Sequence, residues 1–200
     1  MDLSTLTSSL WPQGSRTDGL QVYALLDGAR DEAIAPAIWQ SQLPYECLYA
    51  GRLSRALELA APYLLHLSPQ SSFFRKWVNE GWGQAWGLFV IAQPDVTLKS
   101  LRKHFRTLLR VMDEQRRVVV FRFYDPRVLR IYLPTCTGSE LSMFFGPVRA
   151  FACENATGDG LMRYQRSELL FGGLQPIAQD SVAPATSISV SSVQSVTCNF

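Results

Sequence analysis

Apolar runs that recur roughly every 20 residues, each followed by a stretch with helical spacing, constrain this chain most. The runs are Val22–Leu26, Glu46–Tyr49, Tyr63–Leu67, Trp86–Ala92 and Val118–Phe123. Between them lie Ala33–Trp39, Leu53–Ala60, Phe73–Glu80 and Leu98–Met112. In the last of these, Leu98, Leu101, Phe105, Leu108, Leu109 and Met112 fall on one helical face. Val22–Leu26 and Trp86–Ala92 are continuously apolar, as expected of strands covered on both sides. Strand and helix in alternation read as βα units. The expected fold is therefore α/β, a mainly parallel sheet flanked by helices, with strands near 21–27, 46–49, 62–67, 86–92 and 118–124. Two late strands are expected near 148–152 and 160–164, in a weakly structured C-terminal region. Residues 1–19 read as a loose N-terminal arm, 20–150 as the main domain, and 151–200 as a short extension with a Ser/Val-rich tail from about Asp180.

Two hundred residues suffice for one domain with a core of its own, without a metal or disulfide staple. A net charge of +2 gives no reason to expect nucleic acid. Arginines outnumber lysines 16 to 3, which suits carboxylate pairing and protein interfaces but follows equally from genomic base composition. The cysteines, Cys47, Cys136, Cys153 and Cys198, form no Cys-x-x-Cys pair, so neither a zinc site nor a redox motif is expected. No signal-peptide pattern opens the chain, and no apolar run reaches the roughly 18 residues that span a bilayer. The expected location is the cytoplasm, without membrane insertion.

The catalytic inventory is thin. There is no nucleophile elbow, phosphate loop, dinucleotide fingerprint or paired-histidine zinc motif, and no cofactor is expected. Of two histidines, His66 falls inside a strand, as a core histidine would, and His104 is expected on the solvent side of the long helix. Two acids stand at strand ends: Asp27, before Gly28, and Asp125, before Pro126. A phosphatase-type aspartate nucleophile needs a second acid two residues on, where this chain has Ala29, so a turn or capping role for Asp27 outweighs a catalytic one. Asp125 with Pro126 reads as a helix start. Arg122 and Arg127 stand ready to pair with these acids. A structural charge network of Asp27, Arg122, Asp125 and Arg127, with no catalytic residue, is the expectation. A small hydrolase or phosphotransferase using Asp27 and Asp125 is the rival.

Two groups are candidates for contact with a partner. Phe73, Phe74, Trp77 and Trp82 open an aromatic cluster that runs on through Trp86 to Phe89; its core members would pack inside, and any left exposed would anchor an interface. Lys99, Arg102, Lys103, Arg106 and Arg110 form a basic row on the long helix. It is either a solvated face or a surface that steers an acidic partner.

An ordered set of segments then becomes informative. Tyr23-Ala24-Leu25-Leu26-Asp27-Gly28-Ala29, Leu48-Tyr49, Ala61 to Leu67, Trp86-Gly87, Phe121 to Leu129 and Phe144-Phe145-Gly146-Pro147 together resemble the adaptor, or effector-chaperone, family of bacterial type VI secretion, long catalogued as a domain of unknown function. The resemblance covers roughly residues 20–150. It implies a non-enzymatic adaptor domain that binds a cognate toxic effector protein in the cytoplasm and loads it onto the spike protein VgrG. Such proteins usually continue into a longer variable lobe, so a reduced or different cargo surface is expected here. A protein-binding module unrelated to secretion remains the other non-enzymatic reading.

Overall fold

Strand β1 (Gln21–Asp27) has six consecutive buried residues because it divides two cores. Successive side chains of a strand point to opposite faces. Val22, Ala24 and Leu26 enter one core, and Tyr23 and Leu25 enter the other. The computed structural model, which describes residues 1–12, 19–112 and 115–167, places β1 third in a six-stranded sheet. The remaining strands are β2 (Tyr45–Cys47), β3 (Pro62–His66), β4 (Gly87–Ala92), β7 (Val148–Glu154) and β8 (Leu161–Gln165), in the order β2-β3-β1-β4-β7-β8.

Helices α1 (Leu3–Leu10), α2 (Ile34–Gln40) and α4 (Ser72–Lys76) cover one face through Leu6, Ile34, Ile38, Phe73 and Phe74. The other face carries α5 (Leu98–Leu108), α6 (Pro126–Tyr132) and α7 (Gly138–Phe145), packed through Leu101, Phe105, Leu129, Phe144 and Phe145. The short α3 (Arg55–Ala60) precedes β3 and has no fully buried residue.

The parallel sheet expected from the sequence is overturned: every pairing among the described strands is antiparallel. In register, Tyr23 faces His66 of β3 on one side and Val90 of β4 on the other. Continuous apolar runs report cover on both faces, which this sheet has, but carry no information on direction. Strands β1 and β2 do run the same way, yet β3 lies between them and opposes both.

The fifth expected strand is also corrected. Only Val118–Val120 is extended, as β6, and it pairs with β5 (Arg110–Met112) in a separate two-stranded ribbon. Helix α5 consequently ends at Leu108, not Met112. The chain beyond Val120 turns inward, burying Phe123 and Tyr124 before α6 begins. Phe123 lies 5.7 Å from the Phe105 ring and 5.5 Å from the Phe144 ring.

The N-terminal arm is helical over Leu3–Leu10, with Asp2 as its cap and Leu6 and Leu10 buried. Both late strands are present, and the boundary drawn at residue 150 falls inside β7. The Ser/Val-rich tail lies outside the described residues. Cys47 and Cys153 are free thiols. Among the described residues, no helix is long and apolar enough to cross a membrane.

Candidate functional site

Antiparallel order brings the C-terminal ends of β1 and β7 and the N-terminal ends of β3, β4 and β8 to one end of the sheet. Three acids are buried there: Asp27, Asp125 and Glu154. Each sits in a position set by local chain chemistry. Asp27 ends β1, where its N–H donates to Trp86 O at 2.8 Å. Gly28 follows because a side chain will not fit: a Cβ there would lie 2.4 Å from Leu59 O and 2.6 Å from Ala61 O. Asp125 is the N-cap of α6, with Pro126 inside the first turn.

Arg122 reaches across the fold to Asp27. Its Nε donates to Oδ2 at 3.0 Å, and Nη2 donates to the same oxygen. The second oxygen of Asp27 accepts the N–H of Ala29 at 3.1 Å, closing the turn after β1. Asp125 is held by Arg127, whose backbone N–H and Nε each donate to Oδ1 at 2.9 Å and whose Nη2 donates to Oδ2 at 2.5 Å. Glu154 accepts the N–H groups of Gly83 at 2.7 Å and Ala85 at 2.9 Å, pinning the loop before β4. Arg130 on α6 donates to Glu154 O at 2.8 Å, and Arg30 donates to Gln84 O at 3.0 Å.

Burial divides the acids. It is the largest influence on Asp27 and raises its pKa above 3.8 in spite of Arg122. Burial likewise raises Glu154, outweighing the Gly83 and Ala85 N–H groups. On Asp125 burial pulls upward too, but the bonds from Arg127 prevail and the pKa is lowered. Arg122 is raised: burial opposes its charge, and the contact with Asp27 overcomes that opposition. The two partners differ because the Asp27 side chain is 1% exposed and that of Arg122 is 41% exposed. Water reaches the guanidinium and not the carboxylate.

The four residues of the expected charge network are therefore brought together as two ion pairs, Asp27–Arg122 and Asp125–Arg127. The sequence reading missed Glu154 and Arg130. A usable signal was present, since Glu154 ends the apolar run Phe151-Ala152-Cys153 as Asp27 ends β1.

The aromatic cluster is corrected. Phe73, Phe74, Trp77, Trp86 and Phe89 are buried, and Trp82 is half-buried, so the cluster builds the core and presents no exposed anchor. A π-helical turn over Trp77–Gly81, closed by Trp82 N to Trp77 O at 2.9 Å, fits the large rings under the sheet. Trp77 lies 4.3 Å from Phe89, centroid to centroid.

The basic row is divided as well. Lys99, Lys103, Arg106 and Arg110 are exposed. Arg102 turns toward β2, where Nε donates to Cys47 O at 2.7 Å and lies 3.4 Å from Glu46. His104, expected to face solvent, is half-buried instead, with Nε2 2.9 Å from Phe144 O and a pKa lowered by burial. His66 is half-buried in β3, with Nε2 2.6 Å from Gln21 Oε1. Among the described residues, no three His, Cys, Asp or Glu side chains are grouped so that they could hold a metal ion.

The model of a family described as a domain of unknown function, DUF4123, matches residues 22–143, well over half of the chain. The chain belongs to this family. DUF4123 domains are associated with adaptors of type VI secretion effectors. The matched span takes in both ion pairs, α5 and the β5–β6 ribbon; it stops before β7, so Glu154 lies outside it. No curated protein and no solved structure matches the chain.

Proposed function

We propose that this protein is a non-enzymatic adaptor, which binds a cognate type VI secretion effector in the cytoplasm and loads it onto the VgrG spike. Membership of DUF4123 is the observation that carries this reading. The charge network supports it. Asp27 and Asp125, the acids a hydrolase or phosphotransferase would use, are each engaged by an arginine and a backbone N–H. A carboxylate held in this way braces a loop; it is poorly placed to attack a substrate or take its proton. Arg122 and Arg127 keep 41% and 52% of their side chains exposed above the buried acids, as residues that brace the fold and face a partner would.

The test is secretion in the native host. Deleting the gene is expected to keep one effector of the host's type VI system inside the cell, while other spike-dependent effectors are still exported. Restoring the Asp125→Ala protein is expected to recover less export than restoring the wild type. Undiminished export of every effector in the deletion strain would end the adaptor reading. Turnover of a small substrate that is lost on changing Asp27 or Asp125 in a still-folded protein would favour the enzymatic one.

A further inference from the structure

The β5–β6 ribbon is the least protected apolar element of the described structure. Val118, Val119 and Val120 are 65%, 39% and 56% exposed, and Met112 and Met143 beside them are 42% and 45% exposed. A crevice of about 370 Å³ opens there, lined by Leu108, Val111, Met112, Val118 and Met143. A ribbon of two three-residue strands is marginal in water. Three exposed valines on an edge form a template for another strand, which proteins ordinarily blunt.

The hydrogen-bond register shows which edge is open. Phe121 N donates to Leu109 O at 2.9 Å, one pair beyond the ladder Arg110↔Val120, Val111↔Val119, Met112↔Val118. In an antiparallel pair, bonded and non-bonded positions alternate. The ladder bonds therefore fall at Leu109/Phe121 and Val111/Val119. The N–H and C=O groups of Val118 and Val120 point away from β5, toward an edge with which no described strand pairs.

Charge selects the occupant. Between Lys99 and Arg122 the chain carries eight lysines and arginines against two acids, a net +6, whereas the rest of the chain carries −4. Six of these cations, Lys99, Lys103, Arg106, Arg110, Arg116 and Arg117, are exposed on α5 and the ribbon. A second copy of this chain would bring the same positive face against it, and like charges in an interface are strongly unfavourable.

We infer that the outer edge of β6 takes up an extended segment of a protein partner, apolar at alternate positions and flanked by acidic residues, as an added antiparallel or parallel strand. Backbone bonds to Val118 and Val120 would supply the pairing, the Met112–Met143 crevice would accept an apolar side chain, and Arg106 and Arg110 would meet the acids. This rests on the adaptor reading, which supplies the partner; the ribbon edge assigns where it binds and what it looks like.

The experiment uses the full chain and, as probe, the purified type VI effector whose export is lost when this gene is deleted. Amide hydrogen exchange is compared with and without that protein, and affinity is measured for wild type, Val118→Glu and Val120→Pro. Proline at 120 removes an outward N–H and takes no ladder bond from β5. Expected are slower exchange at Val118 and Val120 in the complex, an affinity at least about tenfold weaker in both variants, and unchanged melting temperatures, because both side chains are exposed. If the proteins bind but ribbon exchange and both affinities are unaffected, the ribbon is the wrong surface and the adaptor reading stands. If no complex forms at low salt, the adaptor reading fails and this inference fails with it. Self-association of the free chain that either variant abolishes would make a second copy the occupant and overturn the choice of partner.

Discussion

Arg122 and Asp27, 95 residues apart in the chain, form an ion pair in which two guanidinium nitrogens hold one oxygen of a fully buried carboxylate. The pair ties the end of the central strand to the segment that descends from the β5–β6 ribbon into α6. Removing one member of a buried pair leaves the other charge unpaired, which typically costs about 3–5 kcal/mol. Arg122 is 41% exposed, so water recovers part of that cost. Arg122→Ala is expected to destabilise the fold by about 2–3 kcal/mol in chemical unfolding. Arg122→Lys should restore less than half, since an ammonium cannot reproduce the two-nitrogen contact. A loss below about 0.5 kcal/mol would show that the pair is incidental.

Asp125 does two jobs, capping α6 through Arg127 N and pairing with the Arg127 side chain. Asp125→Ala is expected to cost about 1–2 kcal/mol, mostly from the cap, because Arg127 is half in water. Asp125→Asn keeps an acceptor for the cap and should cost less. The pH dependence has a definite sign. The folded pKa lies below 3.8, so the stabilisation by this acid is present above that value and is lost as pH falls through the folded pKa. The melting temperatures of wild type and Asp125→Asn should therefore converge on acidification below about pH 4 and stay separated at neutral pH. Asp27 and Glu154, whose pKa values are raised, act in the opposite sense and favour the fold where they are protonated.

The basic row should separate by charge reversal. Arg106→Glu alters an exposed side chain and is expected to leave the melting temperature within a few degrees of wild type. Arg102→Glu removes a donor to Cys47 O and places an acid beside Glu46. It should speed amide exchange in β2 and lower stability by about 1–2 kcal/mol, measured by thermal unfolding. Equal effects of the two substitutions would contradict the placement of Arg102.

Gly28 offers a steric test. A methyl group there meets two backbone carbonyls at 2.4 and 2.6 Å, neither of which belongs to a flexible side chain. Gly28→Ala is expected to displace the end of β1 and cost about 2 kcal/mol or more. Arg122 should lose its grip on Asp27 in the same variant, so the combined Gly28→Ala, Arg122→Ala protein should be less destabilised than the sum of the two.

Much of the fold is legible in the residues. Val22–Leu26 and Trp86–Ala92 announce doubly covered strands because both faces of the sheet do carry helices, and the Leu101/Phe105/Leu108 stripe marks the buried side of α5. Strand direction is not legible, because a run buried on both faces looks the same in either sense; what decides it is the insertion of β3 between β1 and β2. Val118-Val119-Val120 has the composition of a core strand, and only the packing shows that the following Phe123 and Tyr124 enter the core in its place. At the site, Asp-Gly and Asp-Pro identify Asp27 and Asp125 as turn-forming acids, and both are. The partnership of Asp27 with Arg122 joins residues 95 apart and has no local signature. The aromatics from Phe73 to Phe89 illustrate the same limit: composition gives their number, and only the packing of α4, the π-helical turn and β4 shows which of them are buried.

The central claim is that this chain works by holding another protein. Its most direct test is a calorimetric titration of the purified chain with the purified products of the genes on either side of its own, at low and at physiological salt. The account predicts one saturable complex with one of these products, weaker at the higher salt because the exposed cations of α5 and the ribbon assist association. No heat and no complex with any neighbouring product, in protein that melts cooperatively, would contradict it.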